Sequence, residues 1–133
     1  MPMLPITSFY TAILALLILK LAFNVIKVRQ AKNQGLGYSD NELLLAGRIH
    51  GNAMEYIPIS LILLALAEGN GVSSMTMHAI GTTLVVARVL HAIGFKAGQG
   101  GTHPGRYWGV VLTALVIVIL SICNILYSWH YLF

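Results

Sequence analysis

The sequence predicts an all-α integral membrane protein, a single four-span domain covering residues 1–133, and two observations carry that prediction. Of the 133 residues, 57% are hydrophobic and only 9% charged, and the mean hydropathy of +0.79 is far above that of a soluble domain of this size. The apolar residues gather into four runs, about 6–26, 43–67, 75–95 and 107–131. Each is long enough to cross roughly 30 Å of hydrocarbon at about 1.5 Å of helix rise per residue.

The first run has no Lys or Arg before it and no small-residue cleavage site soon after it, so it is expected to remain as a helix rather than act as a cleavable signal. Near its end Lys20, Asn24 and Lys27 share a helical face, with Arg29 just beyond. Lys27 and Arg29 can reach the headgroups along their own stems. Lys20 lies roughly 9 Å inside the span end and is expected to line a polar interior. The connection that follows, QAKNQGLGYSDNE, is polar, and Ser39-Asp40-Asn41-Glu42 fits a capping box that starts the second helix.

The second run opens with RIHGNAMEYIP, residues 48–58. At about 100° per residue with Arg48 as origin, Gly51 falls at about 300°, Asn52 at about 40°, Glu55 at about 340° and Tyr56 at about 80°. These form one polar face, and His50, at about 200°, points away from it. Pro58 then removes a backbone donor beside that face. The short connection EGNGVSS makes the second and third spans antiparallel neighbours.

The third run repeats the pattern more sparsely, with Arg88, His91 and Phe95 at i, i+3 and i+7 near the same end. The glycine-rich KAGQGGTHPG leads to a fourth helix expected to resume at Arg106 or Tyr107. Tyr107 and Trp108 open that span, and Trp129 and Tyr131 close it. The separation of the tryptophans, roughly 31 Å of helix, matches two interfacial aromatic belts. Of these rings only Tyr107 is placed to touch a ligand.

Charge is informative by position. The formal net charge is +4, with a pI near 9.5. Lys20, Lys27, Arg29, Lys32 and Arg48 surround the first connection, and Arg88, Lys96 and Arg106 surround the third. The second connection and both tails have no Lys or Arg. By the positive-inside rule both basic loops are expected in the cytosol and both termini outside. Cations embedded at span ends rather than on a soluble face argue against nucleic-acid binding.

An ionisable side chain at the bilayer centre costs roughly 2.5–3.5 kcal/mol on insertion scales, so such residues face a partner or a cavity. One reading of the polar faces is an ion-pair and hydrogen-bond seam that holds helices or subunits together. The other is a ligand site: guanidinium groups suit carboxylates through forked hydrogen bonds, Glu55 suits an ammonium, and Asn52 suits amides. A small zwitterionic peptide with excess carboxylate fits that set, and the bilayer would supply a lipophilic second substrate. No other His or Cys has metal-ligand spacing with His91, so no metal is expected.

Three motifs carry a resemblance to a known family. Arg48-x-His50-x-Asn52-x-x-Glu55-Tyr56-x-Pro58 is similar to the second-helix signature of the MAPEG proteins, the membrane-associated proteins in eicosanoid and glutathione metabolism. Ala87-Arg88-x-x-His91-x-x-Gly94-Phe95 resembles the third-helix pattern of the microsomal glutathione transferases, and His103-Pro104-x-Arg106 resembles the Gln-Pro-x-Arg that opens their fourth helix. The resemblance implies a left-handed four-helix bundle assembled as a homotrimer, with glutathione bound between subunits as cosubstrate. Arg48, Asn52, Glu55 and Tyr56 would hold glutathione from one subunit, with Arg88, His91 and Phe95 beside them. Arg29 and His50 would reach in from the neighbour.

Arg106 would be the catalytic residue that stabilises the thiolate. Taking a thiol of pKa near 8.5 down to about 6.5 requires roughly 2.7 kcal/mol of preference for the charged form, within reach of one guanidinium in a partly dry site. The nucleophile is then glutathione's sulfur, and the lone Cys123 need not react. The implied activity is a detoxifying transferase or peroxidase acting on lipophilic electrophiles or lipid hydroperoxides, in a bacterial inner membrane or endoplasmic reticulum. Phe95 departs from the family's usual tyrosine and removes one hydroxyl. Two alternatives compete: a nonenzymatic lipid-binding or scaffold member of the family, and a small multidrug exporter. An exporter needs an acidic residue without a basic partner, whereas Glu55 shares its face with Arg48.

Overall fold

A computed structural model describes residues 3–132. It contains four long helices: α1, Pro5–Ala31; α2, Asn41–Gly69; α3, Ser74–Ala97; and α4, Pro104–Leu132. Each runs past the apolar core of its span, reaching 27, 29, 24 and 29 residues. Backbone hydrogen bonding continues through the headgroup layer although hydropathy has already fallen. All four are long and apolar enough to cross a membrane.

The helix ends are set by local chemistry, in two places differently from expectation. Asp40, not Ser39, caps α2, its carboxylate accepting the Leu43 N–H at 2.9 Å. Glu42 does not complete a capping box; it turns out to Lys32 at 3.0 Å, and Lys32 also pairs with Asp40. A carboxylate is as good a cap as a hydroxyl, and Lys32, the residue that caps the C-terminal end of α1, holds it. The fourth helix starts at Pro104, earlier than Arg106. His103 caps it, Nδ1 accepting the Gly105 N–H at 3.1 Å, and proline's fixed φ suits the first helical position.

α1 has no side-chain cap of its own. Its first free N–H groups, on Ile6 and Thr7, donate to the Glu68 carboxylate at 2.9 and 2.7 Å. The last turn of α2 thus closes the first turn of α1, and an anion suits that positive helix end.

α2 and α3 lie at the centre of the bundle. α1 packs on both of them, α4 packs on both from the other flank, and among the described residues α1 and α4 do not meet. The core is the fully buried set Leu14, Ile57, Leu64, Met77, Leu84 and Leu120. In lipid, helices are held together by close packing and internal hydrogen bonds rather than by the hydrophobic effect. Tyr10 illustrates both: its ring packs against Gly81, and its hydroxyl bonds Thr82 Oγ1 at 2.9 Å and the His78 carbonyl at 3.1 Å. α1 buries only Thr7, Tyr10 and Leu14. Lys20 is exposed on its outer face and, within one chain, lines no polar interior.

Candidate functional site

The polar residues of α2 divide between two environments. The buried stripe of that helix runs through Ile49, Ala53, Ile57, Ser60 and Leu64. Arg48 and Glu55 stand on the opposite side, more than half exposed, and pair at 3.8 Å. Asn52 and Tyr56 lie between the two sides and meet α3. Pro58 leaves α2 unbroken, although the Met54 carbonyl loses its usual donor. One turn on, Ser60 Oγ donates to the Tyr56 carbonyl at 2.7 Å.

Arg88 is the centre of the site. It is 2% exposed, among the most buried polar groups of the chain. Its Nη2 donates to Asn52 Oδ1 at 2.7 Å, its Nη1 reaches Thr113 Oγ1 on α4 at 3.5 Å, and its guanidinium lies 5.8 Å from the Tyr56 ring centre. Its Nε has no partner, and among the described residues no carboxylate lies within ion-pair distance. A buried cation without an anion is costly, so the neutral oxygens of Asn52 and Thr113 only partly replace water.

From Arg88 the site continues along α3. His91 is buried, its Nδ1 without a partner, and its ring meets Phe95 edge-on at 5.5 Å. Phe95 in turn lies beneath Arg106, whose guanidinium sits 3.9 Å from the ring centre. Arg106 also donates to the carbonyls of Gly100 and Gly101 in the α3–α4 connection. Glu55, Arg48, Asn52, Tyr56, Arg88, His91, Phe95 and Arg106 thus form one ribbon across α2, α3 and the start of α4.

The ribbon depends on how closely α3 and α4 approach. A Cβ on Gly94 would stand 2.2 Å from the Arg106 backbone nitrogen, and one on Gly109 would stand 2.6 Å from His91 Cβ. Those two contacts bring Arg106 over Phe95. Along the opening turns of α4, a largely apolar groove of about 780 Å³ runs past Arg106, Tyr107, Trp108 and Val111. Trp108 and Trp129 are both exposed, as belt residues at the two interfaces should be.

Two expected ligands for the site stand elsewhere. Arg29 is engaged by its own α1–α2 connection, donating to the Gly37 carbonyl at 3.1 Å and the Gln34 carbonyl at 3.4 Å, with the Tyr38 ring centre 5.6 Å away. His50 is half-buried at the edge of the α2 core stripe, on the far side from Arg48 and Glu55. Within one chain neither joins the ribbon. Thr113 is an addition of the structure, and the signal in the sequence is its place as the lone hydroxyl in VVLTALV; its Oγ1 also donates to the Gly109 carbonyl at 2.7 Å.

The sequence pattern of the MAPEG family matches residues 7–126, which takes in every residue of this ribbon. The chain is also 32% identical to the inner membrane protein YecN of Escherichia coli strain K12, across 96% of this chain and 97% of that protein, and equally to YecN of E. coli O6:H1 strain CFT073. With four apolar helices and the three motifs assembled on one side of the bundle, the chain is an integral membrane protein that belongs to the MAPEG family.

Proposed function

We propose that this protein binds glutathione between neighbouring subunits of a homotrimer and uses its thiolate on lipophilic electrophiles or lipid hydroperoxides. The observation that carries the reading is Arg88, a buried guanidinium without a carboxylate partner, behind the open shelf formed by Arg48, Asn52, Glu55 and Tyr56. Glutathione brings two carboxylates and one ammonium. A carboxylate near Arg88 supplies the missing anion, and the loose Arg48–Glu55 pair opens to take the remaining charges. The shelf lies on the outer face of the subunit, so a second subunit is needed to cover it. His50, on the other side of α2, would serve a neighbour's site. Arg29 would have to leave its loop carbonyls to contribute.

Arg106 is the group that favours the thiolate over the thiol, and the apolar groove beside it gives a lipophile from the bilayer access to the sulfur. In conjugation, sulfur forms a bond to the electrophilic carbon while the electron pair leaves with the displaced group or opened ring, which takes a proton. With a hydroperoxide, sulfur attacks the terminal oxygen, the O–O bond breaks, and the alkoxide is protonated to the alcohol. A second glutathione then displaces water from the sulfenic acid and forms the disulfide. Both basic connections face the cytosol, and both termini lie outside.

A nonenzymatic lipid-binding role is the second reading, favoured by one observation: Arg106 is already engaged by two carbonyls and the Phe95 ring. Thiolate absorbance on the detergent-solubilised protein with glutathione separates the two. The transferase reading expects a thiolate signal that Arg106→Ala removes and Arg88→Met weakens together with binding. Glutathione that raises the unfolding temperature of the wild type without thiolate or turnover favours the nonenzymatic role. The absence of both stabilisation and thiolate signal in the wild type refutes glutathione binding. A C-terminal reporter active only in the cytosol overturns the orientation.

A further inference from the structure

At the end of the bundle that carries the basic connections, a second cleft of about 380 Å³ lies among α1, α2 and α3. It is separate from the ribbon around Arg88: its walls are Asn24 on α1, Glu42, Ala46 and Ile49 on α2, Lys96 at the end of α3, and Gln99 just beyond. We propose that this cleft is a binding site for the headgroup of a phosphatidylethanolamine lipid. The proposal is independent of whether the protein uses glutathione.

Three features point to that headgroup. The first is depth: the C-terminal turns of α1, the N-terminal turns of α2 and the last turn of α3 line it, the level at which helices leave the hydrocarbon and a lipid phosphate would lie. The walls change accordingly from Ala46 and Ile49, which are buried, to the polar groups at the rim.

The second is charge. Lys96 takes part in no ion pair among the described residues, whereas Glu42 is held only by Lys32, which also pairs with Asp40. The charged residues of the lining are Lys96 on α3 and Glu42 on α2, so it is neutral overall but has its two signs on different helices. A zwitterionic headgroup matches this better than an anionic one, with its phosphate on Lys96 and its ammonium on Glu42.

The third is the set of acceptors. Gln99 lines the cleft; its Nε2 donates to the Lys96 carbonyl at 3.1 Å, and its Oε1 makes no hydrogen bond among the described residues and remains an acceptor. Asn24 forms no side-chain hydrogen bond among the described residues, and its amide is available to either end of the headgroup. A primary ammonium has three N–H donors for Glu42 and these amide oxygens, whereas the quaternary ammonium of choline has none. The volume falls within the roughly 300–1,000 Å³ of small-molecule sites.

Native mass spectrometry of the full chain, in micelles doped in turn with phosphatidylethanolamine, phosphatidylglycerol and phosphatidylcholine, tests the assignment. Phosphatidylethanolamine should be retained over the other two by at least about five-fold. Lys96→Ala and Glu42→Gln should each lower its retention by about five-fold, the effect of one charge near a headgroup. Lys27→Ala, a cation outside the cleft, should leave it unchanged. Both test residues are exposed, so the unfolding temperature without lipid should be that of the wild type. Soluble glycerophosphoethanolamine separates a headgroup site from a whole-lipid site: weak competition is expected, because it brings no acyl chains to the apolar walls. Equal retention of the three lipids, or unchanged retention in both variants, overturns the proposal. Displacement of the lipid by glutathione overturns it as well, because the cleft would then belong to the other site.

Discussion

Gly94→Ala tests whether the closeness of α3 and α4 is what assembles the site. The added Cβ would lie 2.2 Å from the Arg106 nitrogen, 2.6 Å from the Gly105 carbonyl carbon and 2.9 Å from its Cα. All three are backbone atoms, so no side chain can rotate away, and the helices must separate by about an ångström to restore ordinary contact. Overpacking typically costs about 1–3 kcal/mol, and a backbone clash belongs at the upper end. Alanine's better helix propensity returns up to about 1 kcal/mol. The net loss is then about 2 kcal/mol, a fall of roughly 5–10 °C in unfolding midpoint for a chain of this size. Tryptophan fluorescence on the detergent-solubilised protein gives the midpoint, and Trp108, one turn into α4, reports the displacement directly. Gly35→Ala is the control: nothing lies within 4 Å of its added carbon. If Gly94→Ala unfolds at the wild-type temperature with unchanged Trp108 emission, the helices are not in the contact described, and the placement of Arg106 over Phe95 fails with it.

Phe95→Leu should lower turnover with glutathione by about three- to ten-fold through loss of the face under Arg106, and Phe95→Tyr should retain activity, because a cation over a ring contributes roughly 0.5–1 kcal/mol or somewhat more. Kinetics of both variants at saturating glutathione check this, and equal rates for all three proteins would remove Phe95 from the positioning of Arg106. Glu68→Ala should leave the Ile6 and Thr7 N–H groups without acceptors, costing about 1–3 kcal/mol, and hydrogen exchange should speed up at those two amides while the α3–α4 contact is unaffected. The α1–α2 connection should respond to pH at both extremes. Asp40 is held below the usual 3.8, first by the Leu43 N–H and then by Lys32, so its contribution is present above that value and lost as pH falls through the lower folded pKa. Lys32 is held above 10.5 by Asp40 and Glu42, so its contribution is present below that value and lost as pH rises through the higher folded pKa. Limited proteolysis of residues 32–40 across both ranges reads the effect, and Asp40→Asn should abolish the acid limb.

Much of the fold was legible because membrane helices obey a local rule. A run of apolar residues long enough to cross the bilayer must satisfy its own backbone, so length and hydropathy alone locate α1 to α4. The polar face of α2 was legible for a similar reason, since helical periodicity fixes that Arg48, Asn52, Glu55 and Tyr56 share one side and that His50 does not. The ends were less legible. Asp40 rather than Ser39 caps α2 because Lys32, just past the end of α1, holds the carboxylate in place, and α4 begins at Pro104 because His103 supplies an unusual cap.

What the sequence determined by itself is the membrane fold, the family motifs and the face on which the polar residues of each helix lie. Only the tertiary structure decided which of those faces meet. It buried Arg88 against Asn52 and Thr113, turned Arg29 into a clamp on its own connection, left Lys20 outside, placed Phe95 beneath Arg106 and closed the start of α1 with Glu68. The physical reason is that helical periodicity fixes angles about one axis, whereas ion pairing, capping and ring stacking depend on distances between axes. Those distances are set by which residues are small enough, as Gly81, Gly94 and Gly109 are, to let two helices touch.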